Sequence, residues 1–192
     1  ALSSAASDVY KRQFVHNLRD HGIEIKGKKI TVAGGGGAAT AIQVQCALDG
    51  AREITIFNIK DAFFERTLQT AEKIRKAVPG IVVNVYDIAD TAKMTEEITS
   101  SDIFANATIV GMKPMDDQSV VKDLSAFRPG LVVCDAVYNP AETKLLREAK
   151  EAGCTCVGGK GMLLWQGAAA FELFTGKEMP VEEVKEKFFS EA

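Results

Sequence analysis

Short apolar runs alternate with longer amphipathic stretches along most of this chain. The apolar runs have the length and the β-branched composition of buried strands. In the longer stretches apolar residues return at about 3.6-residue spacing, as Phe64, Leu68, Ala71 and Ile74 do, which predicts helices. The pattern predicts strands at 29–33, 53–57, 81–86, 103–106, 131–136 and 155–157 and helices at 38–48, 61–78, 91–98, 141–152 and 161–192, the last with a break at Thr175 and Gly176.

Strands that alternate with helices are typical of βαβ units, which build parallel sheets covered by helices. Nearly every residue of 131–136 is apolar, as expected for a strand that is buried on both faces. We therefore predict an α/β fold: a doubly wound parallel sheet of the Rossmann type, in three αβα layers. The connection at 111–129 is longer than most, and we expect a surface loop near the functional site.

Composition and charge exclude several classes of function. The chain has 192 residues and a formal net charge of −3, whereas a general nucleic-acid binder carries a basic surface stripe. No apolar run has the length of about 18 residues that a membrane span needs. Residues 1–7 lack the basic and apolar segments of a secretory signal. We expect no nucleic-acid or membrane partner, and a cytoplasmic location.

Four cysteines and two histidines raise the question of a metal site. Cys154 and Cys156 have the spacing of half a site, but no second Cys or His pair lies at zinc spacing. Cys134 and Cys156 fall in predicted strands, so we expect buried thiols and no metal. His16 and His21 precede the first predicted strand, where we expect a further helix that carries both or ends near His21, and we expect both side chains at the surface.

A run of glycines separates the first predicted strand from the helix that follows it. Gly34, Gly35, Gly36 and Gly37 lead into Ala38, a variant of the strand–glycine–helix arrangement that binds dinucleotides. Glycines allow a tight turn in which backbone N–H groups approach a pyrophosphate. The positive end of the following helix stabilises that anion. A glycine-rich turn that serves packing alone is the alternative.

Dinucleotide sites of this kind have an acidic residue about 20 positions beyond the glycine loop, where it hydrogen-bonds the adenosine ribose. Asn58, Ile59, Lys60 and Asp61 occupy that stretch here. Asp61 suits the ribose diol of NAD, whereas Lys60 suits the additional phosphate of NADP. Asp61 also suits the N-cap of the following helix. We predict NAD or NADP as the cofactor and favour NAD.

Four further stretches accompany the glycine loop in a fixed order. Phe57 and Asn58 precede Asp61, N-x-T-x-x-G-M occupies 106–112, D-x-x-Y-x-P-x-x-T occupies 135–143, and G-K-G-M-L at 159–163 is followed by Gln166. Together these stretches resemble the shikimate/quinate dehydrogenase family from about residue 14 to the carboxyl terminus. The spelling at 163–166 and the turn at 58–61 resemble the quinate/shikimate branch, which accepts NAD as well as NADP.

The resemblance implies a role for each matching position. The glycine loop would hold the pyrophosphate, and the turn after the second strand would hold the adenosine ribose. Two later turns and Gly159 would close around the nicotinamide side, and Tyr138 and Gln166 would face a hydroxyl-rich substrate. The implied cofactor contacts are Gly34, Gly35, Gly36, Gly37, Ala38, Asn58, Ile59, Lys60, Asp61, Thr108, Ile109, Ala136, Val137, Tyr138, Asn139 and Gly159.

The implied activity is reversible NAD(P)-dependent hydride transfer between shikimate or quinate and its 3-dehydro ketone, in the shikimate pathway to the aromatic amino acids. In this family a substrate domain precedes the cofactor domain and supplies the lysine for proton transfer. Residues 1–13 look unrelated to the family, so we interpret them as an atypical leader, either a truncated or an artificially joined start, before a cofactor domain at 14–192. We expect no catalytic residue in this chain, and poor activity from the chain alone.

Two further expectations stay open at this point. A non-catalytic dinucleotide-binding module or sensor is the alternative to a dehydrogenase, since a glycine loop is shared by many chemistries. An apolar face without its second domain would favour a homodimer. The choice between shikimate and quinate depends on residues outside these motifs.

Overall fold

A computed structural model describes the backbone of residues 5–62 and 64–189, and the side chains from residue 13 onward within those ranges. Its elements alternate as the hydrophobic pattern predicts. They are α1 (Ala5–Asp20), β1 (Lys29–Ala33), α2 (Gly37–Leu48), β2 (Glu53–Asn58), α3 (Phe64–Ala77), β3 (Val82–Asp87), α4 (Thr91–Thr99), β4 (Ile103–Asn106), β5 (Val132–Asp135), α5 (Lys144–Glu151), β6 (Thr155–Val157), α6 (Lys160–Thr175) and α7 (Val181–Phe188).

The described strands form one parallel sheet in the order β3-β2-β1-β4-β5-β6. From β1 the chain builds outward to β3, then returns to the other side of β1 and builds outward to β6. The strand order therefore reverses between β1 and β4, and a crevice opens outside their carboxyl ends. This order confirms the predicted doubly wound α/β fold of the Rossmann type.

Burial on both faces of the sheet explains the strand composition. Every residue of β1 and β4 is buried, and apolar side chains alternate between two separate core clusters. Ile30 and Val32 enter one cluster, whereas Ala33 and Phe104 enter the other. Because α2, α3 and their neighbours cover one face and α4 and α5 cover the other, the functional turns are left to the strand ends.

Some helix starts were predicted too early. The third helix begins at Phe64, not at residue 61, and the fifth begins at Lys144, not at residue 141. Thr143 decides the second case, since its extended backbone and its side-chain oxygen, which accepts from the Leu146 N–H, make it the N-cap. Pro140 and the two residues after it therefore belong to a turn.

The first helix packs along α6. The Asn17 side-chain amide donates to the Gly158 carbonyl at 3.0 Å, and Gly161 leaves the space that this side chain occupies. His16 stacks on Trp165, with ring centroids 4.6 Å apart. The expectation that His16 lies at the surface was therefore wrong, since it is half-buried by this stack, whereas His21 is exposed.

Helix α1 also crosses the boundary drawn after residue 13. The helix runs from Ala5 to Asp20, and Gln13 is a buried part of it.

The four cysteines differ in burial: Cys46 and Cys134 are buried, while Cys154 and Cys156 are half-buried. No helix within the described ranges combines the length and apolar character needed to cross a bilayer.

Buried charges at the amino ends of the strands are paired. The Lys29 ammonium lies 2.7 Å from the Glu97 carboxylate and 3.2 Å from that of Glu53. Burial alone would raise the pKa of Glu97, but hydrogen bonds from Lys29 and Lys93 outweigh it and hold that pKa below its usual range. The buried charges at this edge of the sheet therefore neutralise one another.

Candidate functional site

Gly34 joins β1 to the rest of the scaffold. Its N–H donates to the Phe57 carbonyl at 2.7 Å, and its carbonyl accepts from the Gln43 amide at 3.0 Å. Its φ is +122°, and a Cβ there would lie 2.7 Å from the Ala107 carbonyl oxygen. Both backbone groups of Gly34 are thus committed inside the protein, so its role is to let β4 approach the loop.

The next three glycines divide into one that packs and two that face open space. A Cβ on Gly35 would lie 2.6 Å from the Thr67 hydroxyl and closer still to Asn58. A Cβ on Gly36 or Gly37 would meet nothing within 4 Å. Gly36 is the N-cap of α2, so the first N–H groups of that helix lack intrahelical partners and face this space. Helix ends of this kind attract anions.

A groove of about 490 Å³ runs from the glycine loop along α2 and α3. Thr40 and Val44 form its α2 wall, and Arg66 and Lys73 lie on its α3 wall. The exposed cations add positive charge beside the helix end. The glycine loop therefore faces a concave surface that favours a phosphate-bearing ligand.

The turn after β2 carries the predicted ribose contacts. The Asn58 amide donates to the Thr67 hydroxyl at 3.0 Å, which fixes Asn58 against α3. Ile59, Lys60 and Asp61 follow and are exposed. Helix α3 begins at Phe64, and the Asp61 carbonyl accepts from the Phe64 N–H. The ribose role of Asp61 and its capping alternative both stay predictions.

The turn after β4 is built on the Asn106 side chain. Its carbonyl oxygen accepts from the Thr108 N–H at 3.1 Å and from the Thr108 hydroxyl at 2.7 Å. The Thr108 hydroxyl in turn accepts from the Val110 N–H at 3.1 Å. Ile109 sits at the tip of this turn and is 63% exposed. A side chain of this size exposed on a fixed turn is suited to contact a planar ligand.

The turn after β5 presents Tyr138 and Asn139 to solvent. Tyr138 is 53% exposed, whereas Val137 is buried. Gly159 comes so close to this turn that a Cβ there would lie 2.7 Å from the Ala136 carbonyl oxygen. The segment that follows β6 therefore packs directly beneath the turn after β5. Gln166 lies further along, half-buried on α6.

Asp135 links these two turns from below. It is 2% exposed, and its carboxylate accepts from the Asn106 amide and the Val137 N–H, both at 3.0 Å, and from the Thr143 hydroxyl at 2.6 Å. Burial raises the pKa of Asp135 to about 6, and the hydrogen bonds from Thr143, Val137 and Asn106 offset only part of that increase. This buried carboxylate is held by neutral donors.

The sequence motifs contain Asn106, Asp135 and Thr143, but sequence reasoning gave them no role. The available signal was a polar residue at the end of each of two successive apolar strands. In a parallel sheet those ends meet at one edge, and Asn106 and Asp135 are indeed register partners. The structure thus adds a buried polar cluster beneath the predicted contacts.

Fold and site together define a Rossmann-type domain with an anion cradle at the first strand–helix turn and further turns at the neighbouring strand ends. Residues 159–187 match the family described as Shikimate 5'-dehydrogenase C-terminal domain. A quinate/shikimate dehydrogenase of Escherichia coli is 46% identical over 172 residues, which are 90% of this chain and 59% of that protein. The chain belongs to the shikimate/quinate dehydrogenase family, of which it covers the carboxyl-terminal portion.

Solved structures agree with this assignment. A shikimate 5-dehydrogenase from Listeria monocytogenes, in complex with shikimate and NAD, is 46% identical with a TM-score of 0.88, and the match covers 93% of this chain and 61% of that one. A shikimate dehydrogenase in complex with NADP⁺ is 30% identical with a TM-score of 0.75, over 96% of this chain and 61% of that one. The chain thus spans about 60% of the length of these relatives.

The raised pKa of Asp135 makes a prediction about stability. Between the unfolded pKa of about 3.9 and the folded pKa of about 6, the folded state binds more protons, so stability falls as pH rises through this window. Asp135→Asn removes this titration. We expect the free energy of unfolding of wild type, relative to Asp135→Asn, to fall by roughly 1–3 kcal/mol from about pH 4 to about pH 7 in urea denaturation. A difference that is independent of pH would contradict the prediction.

Proposed function

We propose that this chain binds a nicotinamide dinucleotide across the carboxyl edge of its sheet, as the cofactor domain of a shikimate or quinate dehydrogenase. The single observation that carries the proposal is the open first turn of α2. Gly36 and Gly37 leave space at a helix N-terminus that lies at the strand-order reversal, where α/β sheets bind dinucleotides. The relative with 46% identity was solved with shikimate and NAD.

The residues present fit such a cofactor along its whole length. The helix end receives the pyrophosphate, and the turn at Lys60 and Asp61 lies beside β1 at the position of the adenosine ribose. On the other side of β1, the turns bearing Ile109 and Tyr138 flank the nicotinamide end, with Gly159 beneath them. Once bound, a nicotinamide dinucleotide supplies a hydride acceptor for the ring alcohol of the substrate.

Binding at the glycine loop is tested by a substitution that the fold tolerates. Gly36 has φ −75° and no neighbour for a Cβ, so Gly36→Ala should fold normally while its methyl group occupies pyrophosphate space. We expect wild type to bind NADH and Gly36→Ala to bind it at least about tenfold more weakly, as the loss of a close phosphate approach implies. NADH fluorescence titration measures both affinities.

Gly167→Ala is the matched control for this titration. Gly167 lies on α6, and a Cβ there also meets nothing within 4 Å, but the position is remote from the glycine loop in sequence and element. Its NADH affinity should equal that of wild type. The proposed site is wrong if wild type does not bind NADH, or if both glycine variants bind it equally well.

Cofactor choice follows from the turn after β2. A carboxylate at Asp61 accepts hydrogen bonds from a ribose diol and repels a 2'-phosphate, whereas Lys60 attracts that phosphate. We propose that NAD is preferred, and we expect NADH to bind more tightly than NADPH. Asp61→Asn should weaken NADH by about tenfold and not NADPH, and Lys60→Ala should weaken NADPH alone. A strong NADPH preference of wild type in the same titration would refute the NAD preference.

We further propose that the proton-transfer group of the reaction comes from outside these residues. At the tips of the two turns the exposed side chains are Ile109, Tyr138 and Asn139, none of them a carboxylate, imidazole or amine, and the exposed Glu142 carboxylate further along the second turn lies 3.7 Å from the Lys150 ammonium. The family resemblance assigns proton transfer to a lysine of a preceding substrate domain. One acid–base group contributes roughly 10²–10⁴-fold to the rate.

The 192-residue chain should therefore bind NADH yet oxidise shikimate and quinate slowly. The expected measurement is NADH formation from each substrate, far below the rate of a full-length relative assayed in parallel. Turnover by the chain itself in the usual enzyme range of about 1–10³ s⁻¹ would refute this part of the proposal. Activity that returns when a separate substrate domain is added would distinguish a dehydrogenase domain from a dinucleotide sensor.

A further inference from the structure

We infer that Asp135 is a positioning residue for the nicotinamide end of the cofactor: with Asn106 and Thr143 it fixes the two turns after β4 and β5 relative to one another. These three residues are called the turn clasp below. The inference rests on the proposed function, because it assumes that the two turns flank the nicotinamide. It goes further by assigning a role to three buried side chains that do not themselves face the crevice.

The clasp is centred on one register pair. Asn106 ends β4, Asp135 ends β5, and the two residues lie opposite each other in the parallel ladder. The Asn106 amide nitrogen donates both to the Asp135 carboxylate and to the Val110 carbonyl, each at 3.0 Å. The Asn106 amide group therefore connects Asp135, where the turn after β5 begins, to the turn after β4.

On the β4 side the clasp determines the shape of the turn at 107–111. Asn106 holds Thr108 through two hydrogen bonds and Val110 through one. The residues on both sides of Ile109 are therefore fixed by the same side chain. The turn ends at Gly111, where φ is +102° and a Cβ would lie 3.4 Å from a Thr143 methyl carbon. The end of the first turn thus rests on Thr143, the third member of the clasp.

On the β5 side the same carboxylate holds both ends of the segment 136–143. One oxygen accepts from the Val137 N–H at 3.0 Å, and the other accepts from the Thr143 hydroxyl at 2.6 Å. Thr143 is also the N-cap of α5, so the segment is tied to a helix. Tyr138 and Asn139 project from the middle of this tethered loop.

Burying the ionised Asp135 carboxylate lowers the stability of the fold, which indicates that this side chain does more than fill space. The ionised form of Asp135 is buried without a cation among its hydrogen-bond partners, which destabilises a folded protein. Three donors converge on it, two on one oxygen and one on the other, and an ionised carboxylate accepts from all of them. Cys134, which interacts with Asp135, is a buried thiol whose pKa is raised, so it supplies no charge.

Geometry separates the clasp from the adenosine half of the site. The glycine loop follows β1 and the Lys60–Asp61 turn follows β2, whereas the clasp joins β4 and β5 on the other side of the strand-order reversal. Loosening the clasp should therefore move Ile109 and Tyr138 and leave the phosphate cradle in place. A ligand that lacks nicotinamide will not sense the change.

The test compares NADH with ADP-ribose, which has the same adenosine and pyrophosphate but no nicotinamide. Thr143→Val removes the hydroxyl, and Asp135→Asn removes the ionised acceptor and leaves an NH2 group that can only donate toward Thr143, both with little change in side-chain volume. We expect each variant to raise the Kd of NADH by about tenfold, as loss of a hydrogen bond to a charged group implies, and to leave the Kd of ADP-ribose within about twofold. Thr143→Ser keeps the hydroxyl and should bind both ligands like wild type.

The outcomes separate this inference from the proposed function. Equal weakening of NADH and ADP-ribose, or no weakening of either, would overturn the positioning role while wild-type binding still supported the dinucleotide site. Failure of wild type to bind either ligand would overturn both. Thermal unfolding of each variant shows whether it is folded at the titration temperature, and Asp135→Asn, which keeps the Thr143 cap of α5, decides the matter if Thr143→Val is unfolded.

Discussion

The central parallel strands of the described sheet are buried on both faces and therefore require helices on both sides, and the position of every turn of this site follows from that requirement. Helices that cover the faces leave only the strand ends for polar chemistry. The reversal between β1 and β4 then separates neighbouring turns and opens a crevice at the carboxyl edge. The glycine loop, the Lys60–Asp61 turn and the turns bearing Ile109 and Tyr138 all lie along this one edge.

The two edges of the sheet treat buried charge in opposite ways. At the amino edge, Lys29 and Glu97 neutralise each other, with Thr55 and Ser100 completing their hydrogen bonds. At the carboxyl edge, Asp135 is held by neutral donors and its pKa is raised by burial. The amino edge therefore stabilises the scaffold, and the carboxyl edge retains a group that costs stability. Such a cost is typical of positions that hold a functional geometry.

Most of the fold and the backbone part of the site could be predicted from the sequence. The parallel sheet followed from the βαβ alternation, and the glycine loop was found because a tight turn at a helix start needs residues without side chains. The start of α5 could not be found by periodicity, since Thr143 caps it through one side-chain bond. The contact of Asn17 with Gly158 was also out of reach, because 141 residues separate the partners. His16 was misplaced for the same reason: its partner is Trp165.

Some features of the site are shared by many folds, whereas others depend on the fit of particular side chains. A glycine loop that binds phosphate does so through backbone N–H groups, so its sequence requirement is little more than small residues, and many unrelated chemistries share it. Features that depend on side-chain fit carry more information. The family match at residues 159–187 lies on the β6–α6 turn and the helices beyond it, where Gly159 packs under Ala136 and Gly161 makes room for Asn17. The segment that matches the family description is thus the one that packs under the turn after β5, and it does not include the glycine loop.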